Sequence, residues 1–244
     1  MLTAVVLTKN ESVNLPDCLN SLRFADEILV IDDYSSDTTA EIAKNLGAKV
    51  IFHHLDNDYS QSRNFALSQS QSDWVLFVDA DERVSPDLAR EITAAIKTNH
   101  RKGYFIRRID FLWGRQLKFG DTGNCRLLRL GRKSAGHWQA LVHETWNIQG
   151  SVDSLSHPLF HYPHPQFYDF LRHINYYSTL RCDELMSRGV KTSILKIVIL
   201  PILKFNYLYF IKLGILDGTE GLIHALTMSF YTFLTQGKLY LRRI

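Results

Sequence analysis

Trp74-Val75-Leu76-Phe77-Val78-Asp79-Ala80-Asp81 runs five apolar residues into two aspartates one residue apart. An apolar run without alternation predicts a strand buried on both faces, as in parallel sheets covered by helices on each side. The flanking pattern agrees. A strand at 2–7 leads through an amphipathic stretch at 15–22 to a second strand at 27–31, with Asp32-Asp33 at its C-terminal end. Ser36 or Asp37 is placed to cap the next helix, which Gly47 closes. Residues 49–53 form a third strand, and Ser60 opens a helix to about residue 68. Downstream, Pro86 suits the first turn of a helix to about residue 98. Strands alternating with helices predict an α/β fold with an open, mostly parallel sheet.

Beyond Gly103 the pattern is less regular. Residues 104–107 and 126–130 read as strands separated by a loop carrying glycine and tryptophan, and Val142 and 146–152 as further strand or loop. From Gln166 the period is helical: 166–188, then 193–213 with a kink expected at Pro201, a turn at 214–221, and a last helix at 222–241. The expected division is 1–165, an α/β domain, and 166–244, a helical region. Cys18, Cys125 and Cys182 are far apart with no C-x-x-C spacing, which argues against a zinc ribbon or disulfide framework and fits a reducing cytoplasm. Residues 1–6 lack the basic and long apolar regions of a signal peptide.

The net charge of +3 is unevenly spread: residues 190–244 hold seven Lys/Arg against Asp217 and Glu220. A basic, apolar segment on a mildly acidic body points to an anionic membrane rather than nucleic acid. Lys196, Lys204 and Lys212 interrupt 193–213, and Thr, Ser and His interrupt 221–237. A spanning helix needs about twenty predominantly apolar residues. With Phe205, Tyr207, Tyr209, Phe210, Phe230 and Tyr231, these helices are expected to lie in the membrane interface rather than cross it.

Open α/β sheets bind ligands outside the carboxyl ends of their strands. Asp32-Asp33 and Asp79-x-Asp81 both fall there. Four carboxylates on one sheet edge repel unless a cation or donor groups compensate, and a divalent ion gripping a diphosphate is the simplest solution. A lone D-x-D would read as ordinary turn aspartates; its place after a buried strand, paired with a second acidic cluster, favours function. Neither G-x-G-x-x-G nor a Walker sequence is present to support a dinucleotide or P-loop site.

Val5-Val6-Leu7-Thr8-Lys9-Asn10-Glu11, Val30-Ile31-Asp32-Asp33-Tyr34-Ser35-Ser36-Asp37, Ser62-Arg63-Asn64 and Phe77-Val78-Asp79-Ala80-Asp81-Glu82 resemble, in order and spacing, the successive motifs of glycosyltransferase family 2. Tyr34 departs from the glycine many relatives carry. The resemblance implies a GT-A fold and an inverting transfer from a nucleotide sugar such as a UDP-sugar. It implies that Asn10 and Glu11 border the uridine, that Asp32 or Asp33 bonds the base or ribose, and that Arg63 lies beside the nucleotide. Asp79 and Asp81 would be the D-x-D pair, with Asp81 the direct ligand of Mg²⁺ or Mn²⁺. Arg126-Leu127-Leu128-Arg129, Trp138, Val142-His143-Glu144 and Leu216-Asp217-Gly218-Thr219-Glu220-Gly221-Leu222 resemble the bacterial subgroup that includes lipopolysaccharide-core β-1,4-glucosyltransferases.

An inverting transfer needs one carboxylate to take the acceptor's proton, worth about 10²–10⁴-fold. Glu144 is the expected base, with Asp153 and Asp121 in reserve. Arg126 and Arg129 are three apart, so on a strand at most one faces the diphosphate. His157, His161 and His164 offer nitrogen ligands; His161 either completes the metal shell or is a buried structural histidine. Trp113, Trp138 and Trp146 either stack on sugar rings or pack in the core. The expected partners are UDP-glucose and a membrane glycolipid, with lipopolysaccharide core heptose as acceptor, at the cytoplasmic face of the bacterial inner membrane. The competing functions are transfer to polyprenyl phosphate and a catalytically silent nucleotide-sugar-binding protein.

Overall fold

The computed structural model describes residues 1–54, 58–98, 100–123, 125–139, 144–163 and 166–242. Val142, His143 and His164 lie outside them. In chain order the first half comprises β1 (Leu2–Thr8), α1 (Leu15–Ser21), β2 (Glu27–Asp32), α2 (Thr39–Asn45), β3 (Lys49–Phe52), α3 (Tyr59–Gln69), β4 (Trp74–Asp79), β5 (Glu82–Val84) and α4 (Pro86–Thr98). Then come β6 (Gly103–Leu112), β7 (Arg115–Leu117), β8 (Cys125–Arg132), β9 (Gly136–Gln139), β10 (Thr145–Ile148), β11 (Val152–Ser154), β12 (Leu159–His161), α5 (Phe167–Ser187), α6 (Ile194–Asn206) and α7 (Gly218–Leu241). These form two compact units: Met1–Arg108 with Arg126–His161, and Ile109–Cys125 with Tyr162–Ile244.

In the first unit the sheet order is β3-β2-β1-β4-β8-β6-β12-β5. β3, β2, β1 and β4 are mutually parallel, and β8 runs antiparallel to β4. Alternation along the strands builds two cores. Ala4, Val6, Leu76 and Val78 pack on one face with Leu15 and Leu19 of α1 and Leu88 and Ile92 of α4. Val5, Leu29, Val75 and Phe77 pack on the other with Ala66 and Leu67 of α3, Trp138 and Trp146. Because both faces are covered, β1 and β4 need apolar residues at consecutive positions, which is the run the sequence shows.

Local chemistry sets the boundaries. Asp37 accepts the Thr39 N–H at 3.0 Å at the entry to α2, and Gly47 takes a positive φ of 83° beyond its end. At α3 the cap is Asp58, which accepts the Gln61 N–H at 3.0 Å, so the helix begins before the Ser60 expected from sequence. The two-stranded β9–β10 ribbon requires Gly136, where a Cβ would come within 1.9 Å of the Asn147 carbonyl oxygen.

In the second unit, β7 folds back on the end of β6 through Trp113 and Gly114, both at positive φ (51° and 80°), the geometry of a tight hairpin turn. Residues 109–125 thus belong with the helices of this unit. α6 contains Pro201 and gives way to one π turn, Tyr207–Ile211, so the helix expected over 193–213 changes its hydrogen bonding after Asn206. α7 starts at Gly218, earlier than expected, because a short 3-10 turn at Gly214–Asp217 feeds directly into it. The Asp217 carboxylate accepts the backbone N–H groups of Lys118 (3.0 and 3.2 Å) and Phe119 (2.9 Å), pinning the 109–125 segment. Gly221 is obligatory there, since a Cβ would lie 2.0 Å from the Gly214 carbonyl oxygen.

Candidate active site

The register places Asp32 opposite Thr8 and Asp79 opposite Leu7, so the two acidic clusters flank the carboxyl end of β1. Two strand spacings separate them, about 10 Å. Between β1 and β4 the order of strand addition reverses, the switch point at which open α/β sheets bind ligands.

Asp32 is fully buried and holds its own turn: it accepts the Ser35 N–H (2.8 Å), the Ser35 hydroxyl (2.6 Å) and the Thr8 hydroxyl (3.1 Å). Asp33 accepts Lys9 Nζ at 2.6 Å and faces His54 Nδ1 at 3.3 Å. Tyr34 adopts φ 48°, which costs a non-glycine residue roughly 1–2 kcal/mol. Glycine would take this conformation without that cost. Here the Tyr34 ring stacks on His54 at 4.2 Å. Asn10 is also left-handed (φ 57°), and its Oδ1 accepts the Ser36 N–H at 2.8 Å, tying the β1 loop to the β2 loop. Glu11 accepts Asn14 Nδ2 at 3.0 Å; burial, aided by the charges of Asp81 and Asp37, pushes its carboxyl up to about 7.

The second cluster is a charge network. Arg63, on α3, donates from Nη2 to Asp79 Oδ1 (3.0 Å) and from Nε to Glu144 Oε1 (3.0 Å). Its guanidinium lies over the Trp138 and Phe77 rings at 4.8 and 5.4 Å. Arg129, on β8, reaches both Asp79 oxygens and comes within 3.5 Å of Glu82 Oε1. Burial opposes the charge on Asp79, but Arg129 and Arg63 outweigh it and hold the carboxyl well below its usual range. Glu82 is fully buried; its Oε2 accepts the Asp79 N–H at 2.9 Å and its Oε1 lies 3.7 Å from Arg108 Nη1. Asn64 clamps the Trp138 backbone by two bonds, 2.8 and 2.9 Å, fixing β9 against α3.

Asp81 has a different partner. Its Oδ2 lies 3.2 Å from His161 Nε2, and His161 is in register with Glu82 where β12 pairs with β5. Burial opposes the charge on Asp81, but His161 outweighs it and keeps the carboxyl low. Among the described residues no cluster of three or more His, Cys, Asp or Glu side chains forms a metal cage. A cation held by Asp81 and His161 would need its remaining ligands from a substrate diphosphate and water, and the imidazole suits Mn²⁺ better than Mg²⁺, whose ligands are oxygens.

Of the residues expected at the site, Arg63, Asp79, Arg129 and Glu144 are joined by hydrogen bonds, and Asp81, two residues further along the chain from Asp79, forms a separate pair with His161. Arg126 is not: it is exposed and its Nη1 donates to Ser154 Oγ at 3.4 Å, so only one of the two arginines faces inward. The reserves lie elsewhere. Asp153 pairs with Arg101 at 3.2 Å on the surface, and Asp121 pairs with Lys204 at 2.8 Å in the second unit. His157 is taken by Glu91 at 2.8 Å. Trp138 and Trp146 stack on each other at 5.4 Å and edge onto Phe77, so they are core residues. Glu82 and Arg108 carried no expected role. Glu82's place directly after the D-x-D was the available signal, and strand alternation gives no hint of its partners.

A model of glycosyl transferase family 2 matches residues 3–151. The lipopolysaccharide core biosynthesis glycosyltransferase LpsC of Rhizobium meliloti is 30% identical, covering 99% of this chain and 92% of that one. A glycosyltransferase of Rickettsia conorii is 27% identical, covering 98% and 89%. Among solved structures, TarS of S. aureus is a remote likeness, with a TM-score of 0.49 and 19% identity over 74% of this chain and only 39% of that one. On the family match and the full-length relatives, the chain belongs to glycosyltransferase family 2, and its mostly parallel sheet flanked by helices is a GT-A fold.

Proposed function

We propose that this chain is an inverting, metal-dependent hexosyltransferase that moves glucose from UDP-glucose to a hydroxyl of a membrane glycolipid, with lipopolysaccharide core heptose as the acceptor. The observation that carries the chemistry is the division of labour between the two aspartates: Asp79 is gripped by Arg63 and Arg129, whereas Asp81, among the described residues, pairs with His161. Similarity to LpsC supports the acceptor class. Donor binding and chemistry belong to residues 1–165, and membrane contact to residues 166–244.

Asp81 and His161 would hold Mg²⁺ or Mn²⁺, which when bound neutralises charge developing on the diphosphate leaving group. The chain's own groups do the rest. The loops that carry Asn10, Glu11, Asp32 and Asp33 bind the nucleoside. Arg63 and Arg129 hold Asp79 at the switch point. Arg63 Nε donates to Oε1 of Glu144 and orients that carboxylate; Glu144 Oε2 takes the proton from the acceptor hydroxyl as the oxygen attacks.

Attachment is through the second unit, at the cytoplasmic face of the bacterial inner membrane. Ile194–Ile211 is long and apolar enough to cross a membrane by length and composition, with a mean hydropathy of 1.8. Lys196 and Lys204 within it favour an in-plane, monotopic position. Ile194, Leu195, Val198, Ile202, Leu203 and Ile211 are each more than half exposed, a patch that water does not favour.

The test is transfer from a panel of UDP-sugars to membrane glycolipid extracts, with Mg²⁺, Mn²⁺ or chelator. UDP-glucose is expected to serve and chelator to stop the reaction. Full transfer in chelator, or in Asp81→Ala, defeats the metal assignment. Transfer to polyprenyl phosphate that survives Glu144→Gln defeats the acceptor.

A further inference from the structure

Glu82 is a carboxylate with no exposure to solvent, one residue beyond Asp81, and neither donor binding nor proton transfer uses it. We propose that Glu82 is the positioning residue that sets the geometry of Asp79, an inference that rests on the donor-site assignment above.

Its two oxygens do different work. Oε2 accepts the Asp79 N–H at 2.9 Å, closing the 79–82 turn. Oε1 faces Arg129 Nη2 at 3.5 Å and Arg108 Nη1 at 3.7 Å. Arg129 in turn grips both oxygens of Asp79, so Glu82 controls Asp79 from the backbone side and, through Arg129, from the carboxylate side. Its own backbone is in register with His161 on β12, which brings His161 Nε2 to 3.2 Å from Asp81 Oδ2. Position 82 thus joins the turn that begins at Asp79 to the strand pair that presents His161.

A buried charge is tolerated only when paired, and an apolar group of similar size is often as good for stability. Glu82 does something an apolar residue does not: its Oε1 faces Arg129 and Arg108 while its Oε2 accepts the Asp79 N–H, so one side chain holds both the turn and the guanidinium that grips Asp79. Glutamine has one carbonyl oxygen where the site uses two acceptors, and its NH₂ group would face either a guanidinium or the Asp79 N–H. Aspartate keeps the charge but is one methylene too short for both partners.

The experiment compares wild type, Glu82→Gln and Glu82→Asp by calorimetry with UDP and Mn²⁺, by hydrogen exchange of the Asp79 amide, and by thermal unfolding. In the folded variants UDP affinity in Mn²⁺ is expected to weaken about 10–100-fold, the usual effect of removing a group that orients a ligand. The Asp79 amide is expected to exchange at least about tenfold faster while amides of β1 keep wild-type protection. If Glu82→Gln does not fold, Glu82→Asp carries both measurements. Wild-type UDP affinity together with wild-type Asp79 exchange overturns the proposal. So does a loss of protection spread evenly over β1 and β4, which marks general destabilisation. If wild type itself does not bind UDP with Mn²⁺, the donor-site assignment fails, and the exchange of the Asp79 amide alone decides the role of Glu82.

Discussion

Replacing Arg129 by methionine keeps the length of the side chain and removes a guanidinium that is 5% exposed. Two carboxylates lose a partner. Asp79 keeps Arg63 at 3.0 Å, but fully buried Glu82 is left with Arg108 at 3.7 Å and one backbone N–H. Breaking a buried pair from one side costs about 3–5 kcal/mol because the remaining charge is uncompensated. For a chain of this size each kcal/mol shifts Tm by roughly 2–4 °C, so Arg129→Met is expected to melt roughly 10 °C below wild type. A thermodynamic cycle isolates the stranded charge. If the cost is the stranded charge, adding Glu82→Gln to Arg129→Met recovers about 2 kcal/mol or more, although Glu82→Gln alone destabilises. Urea unfolding of the four proteins at neutral pH reads this directly. A loss below about 1 kcal/mol for Arg129→Met, the value of a surface pair, would refute the reasoning. So would two substitutions that simply add.

Glu11 ties stability to pH: its folded carboxyl is raised from 4.5 to about 7, so the native state holds more protons than the unfolded chain between those values. Stability is full below about pH 4.5, falls as pH rises through 7 and is then flat, and Glu11→Gln is expected to gain about 3 kcal/mol relative to wild type between pH 4.5 and 8. A difference in unfolding free energy between wild type and Glu11→Gln that stays constant from pH 4.5 to 8 would refute the assignment. Glu144→Gln is expected to lower transfer by about 10²–10⁴-fold with unchanged UDP affinity; a fall in UDP affinity of the same size would make Glu144 a binding residue. Asp217→Asn leaves one acceptor oxygen for N–H groups of Lys118 and Phe119, so about 1–3 kcal/mol of local stability is lost, read as faster proteolysis within 109–125. Val198→Glu with Ile202→Glu, both 56% exposed, is expected to leave Tm unchanged and move the protein from anionic vesicles to the supernatant. Unaltered sedimentation with vesicles would place the membrane contact elsewhere.

The parallel strands and their intervening helices were legible in the sequence because each is coded by near neighbours. Residues 74–78 show the apolar run of a strand covered on both sides, Gly47 closes a helix, and Asp32 and Asp79 sit at strand ends where the chain must turn. The Gly/Trp loop after residue 112 and the start of α7 were less legible, since a left-handed tryptophan and a 3-10 entry leave no periodic mark. The clustering of acidic residues at the β1, β2 and β4 ends also followed from sequence, through the rule that parallel strands share one carboxyl edge. What only the tertiary structure decided is which charges meet. Arg63 finds Glu144 across 81 residues, His161 finds Asp81 across 80, and Arg129 rather than Arg126 turns toward Asp79 across 50. Those choices depend on how β8, β10 and β12 register against strands and helices far away in the chain. Local propensity carries no record of such a register, because the energy that fixes it comes from packing Trp138, Trp146 and Phe77 together and from desolvated ions that are stable only when every partner has arrived.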